Sequence, residues 1–231
     1  MPATALSVIV PVLNEAAGIS SLLVELAPLQ ARGAQIIVVD GGSRDGTAAL
    51  ARGFRGVEVV ASPRGRAVQM NTGALAATGD VLLFLHADTQ LPADADTLIT
   101  GALAFSQPGG RVWGRFDVHI EGRPWMLRVV AAFMNARSRL SGIATGDQAF
   151  FMRREAFDAV GGFPHQPLME DVEMSRRLLK LSRPVCLREQ VRTSGRRWES
   201  RGVWPTIVLM WRLRWAYWRG AAPQALARLY E

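Results

Sequence analysis

The sequence predicts an α/β fold: a mainly parallel central sheet flanked by helices, with a C-terminal helical tail. Three observations predict it. Short apolar runs recur at 6–13, 34–40, 57–62 and 81–88, each apolar on both faces, as strands buried inside a parallel sheet are. Segments with helical spacing separate these runs, so residues 6–88 read β-α-β-α-β-α-β. From about residue 196 the chain turns basic and tryptophan-rich, unlike what precedes it.

The elements follow in order. "LSVIVPVL" (6–13) opens the sheet, and a helix over about 15–30 places Ile19, Leu22, Leu23, Leu26 and Leu29 on one face. "AQIIVVD" (34–40) runs into "GGSRDG" and a helix over about 44–55. "VEVVAS" (57–62) is the third strand, and a helix over about 65–78 carries Val68, Leu75 and several alanines. "VLLFLHAD" (81–88) is the fourth strand. Beyond it, "RVWGRFDVHI" (111–120) alternates as a strand with one wetter face, 124–140 reads as a helix and "DQAFFMRR" (147–154) as a strand. A helix over 169–181 and a strand near 184–188 complete a main domain spanning 1–200, with a basic helical appendage over 201–231.

With 231 residues, 49% hydrophobic and 20% charged, the chain builds a globular core rather than a disordered ensemble. Its single cysteine, Cys186, excludes an internal disulfide and fits a reducing compartment. The net charge of +7 comes almost wholly from arginine, Lys180 being the one lysine. Such a surface suits a phosphate-bearing ligand, an anionic membrane or nucleic acid. The apolar start is too short for a secretory signal. Arg212 and Arg214 interrupt the best membrane-spanning candidate, 202–220. A cytoplasmic location is therefore expected. In the tail, tryptophans alternate with arginines, which fits either peripheral contact with the inner face of the cell membrane or packing against a second subunit.

Ligands of open α/β sheets bind beyond the carboxyl ends of the strands. There the first strand delivers Pro11, Asn14 and Glu15, the second Asp40, Gly41 and Ser43, and the fourth His86, Ala87 and Asp88. Asn14, Ser43 and Asp45 also make good caps and turns. Asp40 follows four apolar strand residues and needs donors. Arg64 and Arg66 stand at a helix start, a good place for phosphate. Glu170 and Asp171 open another helix, where the dipole favours the ionised carboxylate. A nucleotidyltransferase-like sugar-nucleotide enzyme or a nicotinamide oxidoreductase would need a glycine-rich loop after the first strand, where "PVLNEAAG" stands instead. A basic nucleic-acid-binding protein is the non-enzymatic alternative, but converging carboxylates would repel its phosphates, so no nucleic-acid partner is expected.

In combination, "SVIVPVLNEAAGI", "IIVVDGGSRDGT", "RGRAVQMNTGALAATGDVLLFLHADT" and "GDQAFFMRREAFDAVGGFPHQPLMEDVEMSRRL" resemble the family-2-like glycosyltransferases of GT-A fold over about residues 6–200. They resemble in particular a bacterial subgroup of uncertain substrate whose members also end in "GRRW" and a tryptophan-rich tail. The resemblance implies inverting transfer of a hexose-type sugar from a nucleoside-diphosphate sugar, a UDP-sugar first, to an acceptor hydroxyl of unknown identity. The tail makes a lipid-linked acceptor one option.

The resemblance also assigns roles. Pro11, Asn14, Glu15, Asp40, Gly41, Ser43, Arg66 and Ala87 would bind the nucleotide, and Arg196 and Arg197 would close over the diphosphate. Asp88 would hold a divalent cation, manganese or magnesium. Asp171 would be the general base, assisted by Glu170. Gly146 and Asp147 would sit where acceptor and donor sugars meet. Independently of the resemblance, Trp113, Arg115 and Asp117 alternate along a strand, so that face is expected to line the acceptor region. One departure stands at His86, where relatives carry the first aspartate of Asp-x-Asp. Imidazole there is either an unusual ligand, suited to manganese, or a hydrogen-bond partner of the ribose, which is the preferred reading.

Overall fold

The computed structural model describes residues 5–104 and 110–230. In chain order it contains β1 (Leu6–Val12), α1 (Ala16–Ala31), β2 (Gln35–Asp40), α2 (Thr47–Arg52), β3 (Val57–Ala61), α3 (Arg66–Ala76), β4 (Val81–Phe84), β5 (Thr89–Gln90) and α4 (Ala95–Ala104). There follow β6 (Trp113–Glu121), α5 (Met126–Ser141), a 3-10 turn (Gly146–Gln148), β7 (Phe150–Arg153), α6 (Arg154–Ala159), α7 (Glu170–Leu178), β8 (Val185–Ser194), α8 (Arg196–Arg201), α9 (Val203–Trp218) and α10 (Pro223–Tyr230).

Eight strands form one sheet in the order β3-β2-β1-β4-β7-β6-β8-β5. Successive residues of β1 and β2 feed opposite faces. Val8, Val10, Ile36 and Val38 join the core under α1, α4 and α5. Ile9, Ile37 and Val39 join the core under α3, α6 and α7. Two covered faces are why these strands read as unbroken apolar runs, and each fully buried Ile or Phe contributes roughly 1.5–3 kcal/mol of transfer free energy. Gly73 lets α3 lie close to the sheet, since a β-carbon there would overlap Ile9 and stand 2.9 Å from Val39.

The sheet is mixed rather than uniformly parallel. The β3-β2-β1-β4 half is parallel, whereas β7 runs antiparallel to both β4 and β6 and β5 antiparallel to β8. β3 is not buried on both faces as its composition suggests, because it is the sheet edge. β4 stops at Phe84, and His86–Asp88 form a turn closed by the Thr89 N–H donating to the His86 carbonyl at 3.1 Å. The strand expected over 147–154 starts only at Phe150, because the 3-10 turn and Ala149, at φ 48°, precede it. The boundary drawn at 200/201 falls inside α8. The helices beyond pack through Leu213 and Leu226 onto Met169, so the tail touches the main domain beside α7.

Candidate active site

β1 and β2 end side by side, with Val12 opposite Asp40. The loops beyond them are laced together. The Asn14 N–H donates to Ser43 Oγ and Asn14 Oδ1 accepts from the Arg44 N–H, both at 2.9 Å. The Glu15 N–H reaches Thr47 Oγ1 and the Ala16 N–H reaches Asp45 Oδ2, also at 2.9 Å. These bonds hold Asn14 at φ 55°, a left-handed conformation that asparagine tolerates. Asp40 is nearly buried and its carboxylate accepts the Gly42 and Ser43 N–H groups at 3.1 Å. Gln69 of α3 donates to the Val12 and Val39 carbonyls at 2.8 and 2.9 Å. A β-carbon at Gly41 would stand 2.9 Å from the Gln69 side chain. Pro11 lies half-buried in β1. These hydrogen bonds hold the corner in place without a ligand.

Next to it, Asp88 is exposed and Ala87 half-buried. Together with Glu15, Ser194 and Arg196 they line an open cleft of about 240 Å³. Glu15 Oε2 lies 3.6 Å from Arg196 Nη2. Burial pushes the Glu15 carboxyl up, Arg196 pulls it down, and Asp88 and Asp45 push it up again. The cleft stops short of Glu170 and Asp171.

The acidic side of the site is assembled by antiparallel pairing. Phe84 stands opposite Phe150, so the chain leaving β4 passes the chain entering β7. His86 Nδ1 therefore comes within 3.3 Å of Asp147 Oδ1. Gly146 permits the approach, because a β-carbon there would overlap the His86 ring. α7 starts after Met169, a non-glycine residue at φ 64°. Glu170 is buried and pairs with Arg66 Nη1 at 3.4 Å. Asp171 Oδ2 accepts the Gly146 N–H at 3.1 Å and Oδ1 accepts the Val172 N–H at 2.7 Å. Ser175 accepts the Ala144 N–H at 3.1 Å and donates to the Asp171 carbonyl at 2.8 Å, fixing α7 to the loop before the 3-10 turn.

Electrostatics separate the three carboxylates. Burial raises Asp171, and the Gly146 and Val172 N–H groups and Arg66 counter it only in part. Burial and the adjacent Asp171 raise Glu170 against the pull of Arg66. Burial alone would also raise Asp147, but the His86 ring, Arg66 and Arg197 outweigh it and hold that carboxyl low. Burial opposes the charge on Arg66, yet Glu170, Asp147 and Asp171 keep it more firmly cationic than usual. Arg197, stacked 4.4 Å over the Tyr230 ring, feels both Asp147 and Asp88, although burial and the Arg201 and Arg66 charges lower it.

Two expected acceptor-side residues are not there. Trp113 and Arg115 share a strand face, but β6 is an interior strand and that face is covered. Trp113 stacks on Phe150 at 5.9 Å and donates to the Ser182 carbonyl at 2.9 Å. Arg115 pairs with Asp117 and donates to Ser138 Oγ at 3.1 Å. Neither side chain can touch an acceptor. Arg115 supports the site from behind: it donates to the Asn135 carbonyl at 3.2 Å, and Asn135 of α5 bonds both the Val118 backbone and Gln148, the neighbour of Asp147.

Sequence reasoning missed Arg137 of α5. Its Nε and Nη2 are buried with no hydrogen-bond partner among the described residues. Burial lowers it and the Asp171 charge raises it. Its signal in the sequence was faint: an arginine between Asn135 and Ser138, both of which face inward.

Among the described residues, no three metal-type side chains converge. A cation held by one carboxylate, water and substrate phosphates needs no such cluster. Asp88 fits that arrangement: it is exposed, and its carboxylate accepts a long 3.5 Å hydrogen bond from Thr89 Oγ1. His86 is turned toward Asp147.

The model of glycosyl transferase family 2 matches residues 7–161. A PGL/p-HBAD biosynthesis glycosyltransferase of Mycobacterium bovis is 30% identical over 171 residues, covering 71% of this chain and 64% of that protein. The chain thus spans less than two thirds of the curated relatives it matches. A mannosyltransferase of Pyrobaculum calidifontis, solved with GDP-Man and Mn2+, shares the fold with TM-score 0.67 at 24% identity, over 97% of this chain and 68% of that one. S. aureus TarS 1-349 with UDP-GlcNAc gives TM-score 0.65 at 19% identity, over 82% and 58%. Glucosyl-3-phosphoglycerate synthase of Mycobacterium tuberculosis, with Mn2+, UDP and glucosyl-3-phosphoglycerate, gives 0.59 at 20%, over 82% and 70%. These likenesses establish a GT-A fold.

Proposed function

The chain belongs to glycosyl transferase family 2, and from that premise we propose that it transfers a sugar, with inversion, from a nucleoside-diphosphate sugar to an acceptor hydroxyl. One observation carries the reading. A half-buried carboxylate with raised pKa, Asp171, is held by the Gly146 N–H across a site whose other edge exposes Asp88 and Arg196. The nucleotide sugars bound by the structural relatives support a UDP- or GDP-linked donor.

Each group has a part. Asp40, Gly41, Ser43, Pro11, Asn14 and Glu15 form a rigid seat for the nucleoside. Arg66, Arg196 and Arg197 face the diphosphate with guanidiniums, which suit phosphate oxygens. The acceptor oxygen attacks the anomeric carbon while Asp171 takes its proton. The bond from that carbon to the diphosphate breaks, and the leaving nucleoside diphosphate keeps the electron pair. General-base assistance of this kind is worth about 10²–10⁴-fold. The raised pKa makes Asp171 a stronger base than an exposed aspartate. Glu170, paired with Arg66, keeps a second carboxylate beside it. Asp147 and Gly146 border the place where the two sugars meet, with His86 orienting Asp147. Asp88 would hold manganese or magnesium, which when bound supplies positive charge to the departing diphosphate.

A thermal-shift screen of nucleoside-diphosphate sugars, with and without manganese, tests the reading. Ligand that binds only the folded state raises the melting temperature. At least one sugar nucleotide should stabilise the chain, more strongly with manganese. If none does while a glycine-loop type substrate such as a free nucleoside triphosphate does, the assignment is wrong.

A further inference from the structure

α9 has two faces. The inner face places Leu213, with Leu209, Met210, Ala216 and Tyr217, against Met169 and Leu226. The outer face carries Trp204, Val208, Trp211, Trp215 and Trp218, each between 53% and 74% exposed. Their spacing is four, three, four and three residues. At about 100° per residue these five lie within an arc of roughly 80° that runs the whole helix. On the same projection Arg212 and Arg219 border the stripe on one side and Arg214 on the other, each about 60–80° from its centre. Arg219 lies 5.3 Å from the centre of the Trp215 ring. No acidic residue occurs between Glu199 and Glu231.

We propose that this stripe docks the protein onto an anionic lipid bilayer. Indole rings sit at headgroup depth, and flanking arginines reach lipid phosphates while their stems stay on the apolar side. The charge decides the occupant. A second copy docked by the same stripe would set guanidiniums against guanidiniums, because a twofold interface pairs a patch with itself. An anionic surface neutralises all of them. The helix lies on the membrane rather than across it: α9 has 16 residues, about 24 Å, against a hydrocarbon core of about 30 Å, and no helix among the described residues is long and apolar enough to cross.

Docking at this face also touches the chemistry. Met169, in the cluster beneath the stripe, is the left-handed residue that opens α7 and so precedes Glu170 and Asp171. The membrane-facing helix and the helix of the proposed base share one small core. Such a site suits an acceptor that stays in the bilayer.

The test uses the full chain without substrate, so it stands or falls apart from the transfer reading. Co-sedimentation with phosphatidylcholine vesicles doped with phosphatidylglycerol should capture the protein, with tryptophan emission shifting to the blue. Pure phosphatidylcholine should bind at least ~10-fold more weakly. Trp211→Gln with Trp215→Gln should weaken capture by ~10-fold or more, and Arg212→Gln with Arg214→Gln by ~10-fold or more on anionic vesicles only. All four side chains lie outside the tail's buried cluster, so the melting temperature should hold; Trp204→Gln with Trp218→Gln is the second pair should the first fail to fold. Absence of capture by anionic vesicles, or equal capture of the tryptophan variants, overturns the proposal. So does a concentration-dependent dimer in sedimentation velocity that the tryptophan pair abolishes.

Discussion

The nucleoside corner and the acidic corner of the site are built on opposite principles. At the ends of β1 and β2, Asn14, Ser43, Asp45, Thr47, Asp40 and Gln69 are cross-linked by a lattice of hydrogen bonds. Beside the start of α7, three carboxylates crowd together, two with raised pKa, and a guanidinium stands behind them with two nitrogens unpaired among the described residues. The first corner is stable because hydrogen bonds tie its loops to one another. The second is costly, since burial disfavours charge and like charges share the space. The contrast teaches where each corner is vulnerable. Changes in the lattice should lower stability, and changes in the acidic corner should lower turnover while relieving strain on the fold.

The largest expected effect breaks or keeps that contrast directly. Asp171→Asn should reduce sugar transfer by about 10²–10⁴-fold, leave donor affinity unchanged, and leave the melting temperature equal or higher. The folded pKa of Asp171 lies above its unfolded value. The folded chain therefore holds that proton more tightly, and the carboxylate costs stability as pH rises past the unfolded pKa, fully so above the folded one. A variant that keeps normal turnover, or melts as early as a lattice variant, removes the distinction. Next in size, Asp88→Ala should weaken donor binding in manganese by ~10-fold or more, about 1.4 kcal/mol, with little change when the metal is chelated. Isothermal titration with and without chelator reads both arms. Asn14→Ala should lower stability by about 1–2 kcal/mol, from the lost Arg44 N–H to Asn14 Oδ1 bond and a left-handed alanine, with kcat nearly unchanged in the folded fraction. Chemical denaturation beside steady-state kinetics checks this.

The smallest effect concerns pH. Transfer requires ionised Asp171, so activity should fall as pH drops through its raised pKa, at higher pH than for an exposed aspartate. Arg137→Met removes a nearby positive charge and should move that acid limb further up in the kcat/KM profile. A limb unmoved by this change would show that Arg137 does not act on the base.

The sequence by itself determined the β-α-β half and the residues at its strand ends, because local signals dominate there. Apolar runs with two buried faces, helical spacing at Ile19 to Leu29, and glycines at the turns are all readable in short windows. It also determined that Glu170 and Asp171 open a helix and that the tail alternates tryptophan with arginine. Only the tertiary structure decided which of these residues meet. His86 finds Asp147 through an antiparallel pairing of strands whose pairing edges are not written in either strand alone. Trp113 and Arg115 have the alternation of a half-exposed strand, yet strand order places β6 between β7 and β8 and covers them, which periodicity cannot reveal. Arg137 is set near Asp171 by the packing of α5, with its Nε and Nη2 buried and unpartnered among the described residues, which no local pattern encodes. The tail's pattern allowed a membrane or a subunit. Folding chose which half of α9 packs on Met169, leaving the tryptophans together on the other. Local periodicity sets which elements form, but burial and charge proximity depend on contacts between residues far apart in the chain, and those arise only when the sheet closes.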